Sequence, residues 1–516
     1  MNTVFLADLV NPNTNLPAIL PEMIVAITGT IVMLYDSFAP KQRIVTGAIS
    51  LVGLLISAFV LYTMWGNADI PANAWGGMIA NDNLRLSFSF VALFVSAVTI
   101  LISTVWTERE DVPVGEYHSL LMFGTVGMLF MASGNDMVIL FLGLETLSIA
   151  TYVMAGLRKS DLRSNESAMK YFILGSFSTG FLLYGMALIY GATGSTNITE
   201  IATAVANPNF PALLLIGAAM LVIGFGFKAA TVPFHVWTPD VYEGAPTPIT
   251  GFMAAGPKAA AFASFMRVFV LGFPLVAGAT ASVALHETWI TALTVMAMLT
   301  MTVGNIAAIV QNNVKRMLAY SSIAHAGYAL VGFIGAGVAT TADKRDAAIA
   351  SVAFYMLTYA VTNLGAFAIV TLLAQKNDRR TEFEDYNGIG FRSPVLSFAL
   401  SLFMLSLLGL PLTAGFMGKV LVFRPALEAG NSLLTILVVV AVVNTAISAY
   451  YYLRLVVVMF FRERTTEWLA PRISMPLAAA LLITISGVFY FGIFSDGIIE
   501  RFSQSPTARS VVKAEK

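Results

Sequence analysis

Five ionisable side chains lie well inside long apolar stretches of the sequence, where they could carry protons. They are one carboxylate, three amines and one imidazole: Glu145, Lys228, Lys258, His325 and Lys419. A charged side chain at the centre of a membrane costs roughly 2.5–3.5 kcal/mol, so each of them requires a partner or a function. A buried amine next to a carboxylate can gain or lose its proton when the neighbouring charge moves. The chemistry that this set predicts is proton transfer.

Each of these residues also has a structural interpretation. Glu145 could form an ion pair that holds two helices together, and Lys228 or Lys258 could extend towards the membrane surface. Lys419 could cap a helix break, and His325 could be an interhelical hydrogen-bond donor. Other ionisable groups near span ends are predicted to act locally, namely Glu22, Asp36, His118 and His286.

The elements that must position these groups are membrane-spanning helices. The 516 residues are 57% apolar and 11% charged, whereas roughly 25% of residues are charged in a soluble domain. This composition predicts an all-α polytopic membrane protein with about fourteen transmembrane helices of about twenty residues each. The apolar runs lie near 17–37, 44–65, 84–107, 117–134, 137–157, 170–192, 211–233, 246–272, 288–310, 316–337, 348–374, 394–427, 433–460 and 474–494.

Two of these spans are predicted to be broken. The run 394–427 would be about 50 Å long as one helix, at 1.5 Å per residue, against a hydrocarbon core of about 30 Å. Pro411 lies in its middle, and a proline there removes a backbone hydrogen bond. The run that contains Lys228 meets Pro233 and Pro239 in the same way. Broken helices in both halves of a chain indicate inverted repeats with a site at the break.

Composition and motifs exclude several classes of function. The 29 basic residues balance 29 acidic ones, and no basic patch for nucleic acid is present. There is no cysteine, hence no thiolate zinc site or cysteine-held iron–sulfur cluster. The histidines are scattered singly, and no P-loop or dinucleotide fingerprint occurs. We therefore expect no cofactor in this chain. The first sixteen residues lack the features of a cleaved signal peptide.

Basic residues in alternate connections predict the orientation, because they are concentrated on the cytoplasmic side. The side with more Lys and Arg is expected to be cytoplasmic, with both termini on the outside. The connection 108–116 also falls on this side although it is acidic. This side carries Lys41, Arg43, Arg109, Arg158, Lys159, Arg163, Lys315, Arg316, Lys376, Arg379, Arg380, Arg392, Arg462, Arg464 and Arg472. The opposite side holds mainly Arg85, Lys344, Arg345 and the C-terminal tail.

Two stretches resemble signatures of the antiporter-like subunits of respiratory complex I, the proton-translocating NADH:quinone oxidoreductase. Residues 228–248 read KAATVPFHVWTPDVYEGAPTP, and residues 313–328 read NVKRMLAYSSIAHAGY. The form VYEGAP resembles one branch of the family, whereas sister subunits typically have AMEGP followed by a histidine. At the corresponding part of the span this chain has Lys258 instead. The resemblance extends over essentially the whole chain.

This resemblance implies a fold of fourteen helices with two inverted five-helix repeats and broken seventh and twelfth helices. The implied segments are an N-terminal three-helix segment (1–116), a first repeat (117–272), a second repeat (288–460) and a last helix with the tail (461–516). Glu145 and Lys228 would form a pair that controls a water-linked relay.

Within that relay, the resemblance implies that Lys258 passes the proton on, that His325 lies between two half-channels and that Lys419 faces the exit. Redox chemistry would occur elsewhere in the complex. The resemblance thus implies a subunit of a translocase in a bacterial inner membrane, lying next to sister antiporter-like subunits. NADH, FMN, iron–sulfur clusters and quinone would be held by partner subunits.

Two alternatives remain open at this point. The same fold serves multisubunit sodium/proton antiporters, so a cation/proton antiporter subunit is the second interpretation, which the VYEGAP form disfavours. A quinone-binding redox subunit is the third. An apolar cleft for a lipid-like tail is compatible with the sequence, although no residue pattern would hold a redox cofactor.

Overall fold

The fourteen predicted apolar runs all form helices in the computed structural model. The structure describes residues 15–39, 42–65, 67, 70–464 and 473–503. Lys41, Arg472 and the tail beyond residue 503, which entered the predicted orientation, lie outside the described residues, as do residues 1–14. Within the described ranges, twelve helices are long and apolar enough to span a membrane. The chain is therefore a multi-span membrane protein.

The helices of the described part follow one another with short connections. In chain order they are α1 (Leu20–Phe38), α2 (Arg43–Met64), α3 (Asn83–Glu110), α4 (Val114–Ser133), α5 (Met137–Ala155), α6 (Leu162–Thr193), α7 (Ile198–Ala204), α8 (Pro211–Ala229), α9 (Thr238–Gly244), α10 (Thr247–Met266), α11 (Thr280–Ile309), α12 (Val314–Gly337), α13 (Ala342–Leu373), α14 (Pro394–Leu408), α15 (Ala414–Glu428), α16 (Ser432–Phe461), α17 (Met475–Ile493) and α18 (Asp496–Ser503).

Small elements complete the fold. A 3₁₀ turn, Leu16–Ile19, leads into α1, and a six-residue π-helix, Arg267–Gly272, extends α10. A two-stranded antiparallel hairpin connects α2 to α3, with β1 at Asn73–Ala74 and β2 at Ile79–Ala80. The polar stretch 375–393 contains three short 3₁₀ turns between α13 and α14.

Both predicted helix breaks are present. In the first half, α8 ends at Ala229, Ala230 has a φ of 60°, and the chain restarts as α9 at residue 238. In the second half, α14 ends at Leu408, and Gly409 has a φ of 98°, a conformation that favours glycine. The separation of α14 from α15 confirms that the run 394–427 is not one straight rod.

Three helices form the centre of the molecule. In α13 every residue of the most apolar window is buried, and in α10 and α12 the buried share is 94%. The corresponding share is 33% in α6, α16 and α17. A helix that is apolar on all sides belongs in a protein interior, so α10, α12 and α13 are enclosed by the others. Lys258 and His325 lie on this central group.

The structure corrects the placement of some predicted loop cations. Arg85 is not in a loop: it lies in the first turn of α3, fully buried, where its guanidinium forms an ion pair with Glu22 at 2.9 Å. Glu22, for which a local role was predicted from its position near a span end, makes this contact with a residue of another helix. Lys315 and Arg158 are also buried. The distribution of basic residues indicates which helix ends lie on the same side of the membrane. It does not indicate whether a cation at such an end is buried by another segment.

Candidate functional site

Lys228 lies on the last turn of α8, directly before the first break. Its ammonium group donates to the hydroxyl of Ser148 at 2.8 Å and to that of Tyr171 at 3.2 Å. Beyond the break, the indole of Trp237 donates to the carbonyl of Phe227 at 3.1 Å and so satisfies one acceptor at the helix end. The break therefore surrounds a buried amine with hydroxyl groups.

Glu145 lies on the half-buried outer side of α5, and Thr179 donates a hydrogen bond to it at 2.9 Å. Glu145 and Lys228, both in the described part, form no direct ion pair, so the implied Glu–Lys pair is not a contact pair. Ser148, one helical turn after Glu145, is instead the group that accepts from Lys228. Beside Lys228 lies a cavity of about 10 Å³ that is also lined by Ser148 and by Thr179, the hydrogen-bond partner of Glu145. This is enough space for about one water molecule.

Lys258 is buried in the middle of α10 and is held by one residue of α12. Its ammonium group donates to the hydroxyl of Ser322 at 2.5 Å and to the carbonyl of Ser322 at 2.8 Å. The ring of Tyr242 faces it, with its centre 5.9 Å away. The position is central, so Lys258 does not extend to the membrane surface.

His325 lies one turn beyond Ser322 on α12, and each of its ring nitrogens lies close to a tyrosine hydroxyl. Its Nδ1 is 2.6 Å from the hydroxyl of Tyr355, and its Nε2 is 3.2 Å from the hydroxyl of Tyr452. The Tyr452 hydroxyl in turn lies 2.5 Å from that of Ser321. Both ring nitrogens thus have a hydroxyl partner that can donate or accept, which is what proton exchange through an imidazole requires.

Lys419 folds back over the second break. Its ammonium group donates to the carbonyls of the last two residues of α14, Leu407 at 3.1 Å and Leu408 at 2.8 Å. It also lies 4.8 Å from the centre of the Tyr328 ring. The structural interpretation of Lys419 as a cap on a helix break is therefore confirmed by these contacts, and a cationic side chain at a helix C-terminus is stabilising.

Ser322, His325 and Tyr328 are spaced by three residues along α12. Side chains three residues apart share a face of a helix, and the six residues from Ser322 to Tyr328 span about 9 Å along the axis. Lys258 contacts this polar stripe at one end and Lys419 at the other. One helix thus brings a lysine from each half of the chain next to the same row of polar groups.

The sequence reasoning missed the tyrosines that line this region. Tyr171 stacks on Trp237 with ring centres 4.5 Å apart, and Trp237 meets Tyr242 edge-on at 6.0 Å. These rings connect the surroundings of Lys228 to those of Lys258. A signal was available, because a tyrosine buried in an apolar span normally needs a partner for its hydroxyl.

The reasoning also missed a buried carboxylate at the end of the molecule where α10 and α12 begin. Asp378 forms ion pairs with Arg158 and Lys315, both at 3.3 Å, and with Arg109 at 3.5 Å. Burial opposes its ionisation, but these cations outweigh burial and hold the pKa of Asp378 below its ordinary value. Asp378 lies in a polar loop, which is why residue type and position alone did not identify it.

Among the described residues, no group of three or more His, Cys, Asp and Glu side chains is arranged to hold a metal ion.

Comparison with known proteins identifies relatives along nearly the whole chain. Residues 134–448 match the family described as NADH:quinone oxidoreductase/Mrp antiporter, TM. The NADH-quinone oxidoreductase subunit N of Trichlorobacter lovleyi is 42% identical over 494 residues, which cover 95% of this chain and 97% of that protein.

Solved structures agree with this result. A chain of respiratory complex I from Thermus thermophilus with bound aureothin is similar at a TM-score of 0.75 and 33% identity, covering 93% of this chain and 98% of that one. A chain of the Mrp complex from Dietzia sp. has a TM-score of 0.77 at 17% identity, covering 95% and 97%, and shares the fold. The protein therefore belongs to the NADH:quinone oxidoreductase/Mrp antiporter family of subunits of membrane complexes, in the group formed by the N subunits of NADH-quinone oxidoreductase.

Proposed function

We propose that this chain translocates protons as a membrane subunit of an NADH:quinone oxidoreductase, driven by redox chemistry elsewhere in that complex. The observation that carries the proposal is the polar stripe Ser322–His325–Tyr328 on α12. It adjoins Lys258 from the first half and Lys419 from the second half. An apolar core gains nothing from such a row unless the row has a function, because each polar group must be satisfied inside the membrane.

The proposed relay begins at Lys228 and crosses the molecule laterally. A proton passes from Lys228 to Lys258 through the region beside the rings of Tyr171, Trp237 and Tyr242. Lys258 passes it through Ser322 to His325, whose two nitrogens are both within hydrogen-bonding distance of tyrosine hydroxyls. Lys419, beside the second break, releases it on the outer side.

Glu145 acts in this proposal through water and through Ser148. A carboxylate in the low dielectric of the membrane favours the protonated state of Lys228, and movement of that negative charge changes the affinity of Lys228 for its proton. The cavity lined by Lys228, Ser148 and Thr179 supports this role, because it has room for about one water and Thr179 donates to Glu145.

The two halves of the chain serve as two inverted repeats in this proposal. The N-terminal segment is 1–116, the first repeat 117–272, the second repeat 288–460, and the last helix with the tail 461–516. One broken helix in each half supports this division: α8–α9 beside Lys228 and α14–α15 beside Lys419.

We further propose that sister antiporter-like subunits cover the outer face of α5. Glu145 lies there in a stripe of apolar residues that are 45–59% exposed, namely Val138, Leu142, Ile149 and Val153. A carboxylate at this depth is costly against lipid, so a protein partner is the better neighbour. NADH, FMN, the iron–sulfur clusters and quinone then bind to partner subunits.

The proposed location is a bacterial inner membrane, with both termini on the periplasmic side. The contacts of Asp378 support the grouping on which this orientation rests, because they join Arg109, Arg158 and Lys315, three cations that the sequence assigns to the same side. Asn377, in the same loop, donates to Glu110 of the acidic stretch 108–116, which places that stretch on the same side as these cations.

The test compares Lys258→Ala and Lys419→Ala in the assembled complex, reconstituted in proteoliposomes, with proton uptake and quinone reduction measured together. Each variant should lower both rates by about tenfold or more, since a positioned proton-transfer group contributes at least that much. Lys344→Ala, at an exposed lysine, is the matched control. Normal pumping by both variants would refute the relay.

The same preparation separates the alternatives. A cation/proton antiporter subunit predicts that pumping depends on sodium, with the two lysine variants altering sodium flux. A quinone-binding subunit predicts a raised KM for quinone at an unchanged number of protons per electron. The Dietzia relative shares the fold at 17% identity, which does not favour antiport for this chain.

A further inference from the structure

Asp378 lies where four parts of the chain meet. It is the last residue of a 3₁₀ turn, Lys376–Asp378, in the segment that connects α13 to α14, and it is 5% exposed. Its cationic partners come from the end of α3 (Arg109), the residues just after α5 (Arg158) and the first turn of α12 (Lys315).

The same carboxylate also binds the beginning of α10. One oxygen accepts from the backbone N–H of Thr247 at 3.1 Å and from its hydroxyl at 2.8 Å. Thr247 is the first residue of α10, and a carboxylate is stabilising at a helix N-terminus, where backbone N–H groups lack partners. Asp378 thus joins the start of α10 to the start of α12.

Neighbouring contacts reinforce this junction. Lys315 donates to the carbonyl of Ala245 at 2.6 Å, and Arg158 donates to that of Gly244 at 3.1 Å. Gly244 is the last residue of α9 and Ala245 follows it, so both carbonyls lie directly before α10. The cations that bind Asp378 therefore also fix the chain that leads into α10.

The backbone of the loop indicates that these contacts determine its shape. Gln375, Asn377 and Asp378 have φ values of 58°, 60° and 48°, in the left-handed region that residues other than glycine rarely adopt. Such conformations persist when surrounding contacts hold them. The carboxylate of Glu110 contributes by accepting from the N–H of Asn377 at 3.0 and 3.1 Å.

The two helices joined at Asp378 are those that bring Lys258 and Ser322 together. Lys258 lies eleven residues after Thr247 on α10, and Ser322 lies seven residues after Lys315 on α12. At 1.5 Å per residue these offsets are about 16 and about 10 Å. A shift of α10 along α12 would therefore be transmitted to the hydrogen bonds between Lys258 and Ser322.

We propose that Asp378 is a positioning residue for proton translocation, which clamps the N-terminal ends of α10 and α12 and so keeps Lys258 on Ser322. The inference rests on the proposed function, in which Lys258 passes protons to the α12 stripe. Asp378 itself carries no proton in this scheme.

The main variant is Asp378→Asn, which keeps the shape and removes the charge. Release of the loop is measured by maleimide labelling of Thr381→Cys, a buried position in a chain without native cysteine. Losing a charge-assisted hydrogen bond should raise the labelling rate about ten- to a hundredfold. Proton uptake and quinone reduction by the assembled complex in proteoliposomes should both fall several-fold.

A disulfide tether distinguishes positioning from charge. Asn313 and Glu382 face each other in an isolated antiparallel bridge, a geometry whose Cα separation suits a disulfide. In the variant with Asp378→Asn, Asn313→Cys and Glu382→Cys, oxidation should fix the loop on α12 and restore pumping. The reduced form of the same protein and the cysteine pair with Asp378 intact are the controls.

Each outcome decides the proposal. Faster labelling, lower pumping and recovery on oxidation support it. Normal pumping by Asp378→Asn overturns the proposal. An oxidised tether that leaves pumping low also overturns it, because the charge of Asp378 would then be needed for pumping itself. Because labelling reports on the loop whether or not protons move through this chain, failure of the relay is seen separately in Lys258→Ala.

A milder variant covers the case in which Asp378→Asn does not assemble. Thr247→Val keeps every charge and the backbone N–H and removes the 2.8 Å hydroxyl contact. It should raise labelling of Thr381→Cys and lower pumping in the same sense, by a smaller factor. Unchanged labelling and pumping in Thr247→Val would overturn the clamp.

Discussion

The ammonium group of Lys419 lies 2.8 Å from the carbonyl of Leu408, so the side chain thought to release protons also caps the helix that ends beside it. Removing the lysine would therefore have two effects, loss of a proton carrier and loss of a cap. Variants of Lys419 must be designed so that these effects are separated.

Lys419→Arg separates them. The guanidinium keeps a positive charge and donors for the end of α14, but it cannot release its proton readily, because its pKa is above about 12. We expect the complex to assemble in normal amount, as seen on native gels, while proton uptake falls about tenfold or more. Full pumping by Lys419→Arg would mean that the residue acts only as a cap.

Glu145 offers a comparison between charge and shape. Glu145→Gln keeps an acceptor for Thr179 but removes the charge that supports protonation of Lys228, so pumping should weaken several-fold. Glu145→Asp should retain much of the activity. The measurement is proton uptake in proteoliposomes, with Thr179→Val as a control for the 2.9 Å hydrogen bond. Equal losses in the Gln and Asp variants, with assembly intact, would point to shape.

Gly415 should be indispensable to the second helix break. A Cβ at this position would lie 1.7 Å from the carbonyl oxygen of Ser406, so α14 and α15 would have to separate. Gly415→Ala should destabilise the subunit by about 1–3 kcal/mol or more, seen as a lower Tm of the purified complex. Gly180→Ala, where a Cβ meets nothing within 4 Å, is the matched control and should leave Tm unchanged or slightly higher.

The loop that contains Asp378 should be released by acid. Its pKa is held below the ordinary value of about 3.9, so its stabilising contribution is present above that value and is lost as pH falls through the lower, folded-state pKa. Hydrogen exchange in peptides covering 376–391 should therefore rise below about pH 4 in the wild type. Loop exchange in Asp378→Asn should be fast already at about pH 6.

This acid response depends on the charges around Asp378. Four elements supply them: α3 (Arg109 and Glu110), the turn after α5 (Arg158 and Asp161), α9 (Glu243) and α12 (Lys315). A pH profile identical in the wild type and in Asp378→Asn would show that another of these groups controls the loop.

Topology can be tested with single cysteines, since the chain has none of its own. Lys159→Cys and Arg379→Cys should be protected from an impermeant thiol reagent in intact cells and labelled in inverted vesicles. Ser505→Cys, in the tail outside the described residues, should show the opposite pattern. Labelling of Arg379→Cys from the outside would reverse the orientation.

Apolar runs and prolines were sufficient to predict most of the fold. All fourteen runs are helical, and Pro411 correctly indicated that 394–427 is broken, because backbone constraints at proline are local. The buried lysines were recognised for a similar reason: a charge in an apolar run stands out without any knowledge of its neighbours. Lys228, Lys258 and Lys419 are all buried as expected.

What the sequence could not provide was tertiary contact. Asp378 lies in a polar loop, and its burial depends on three other helix ends meeting above it. The contact of Lys228 with Ser148 and the tyrosines beside His325 depend likewise on how separate helices face each other. A single sequence contains the periodicity of each helix but not the register of one helix against the next.

The buried pair of Glu22 and Arg85 has a consequence for biogenesis. The two side chains, 1% and 0% exposed, are 63 positions apart in the sequence and neutralise each other only when α1 and α3 meet. During synthesis α1 precedes α3, and a charge without its partner is costly in a membrane. We therefore expect α1 to be stably seated only once α3 has joined it, because only then does the carboxylate of Glu22 have its guanidinium partner.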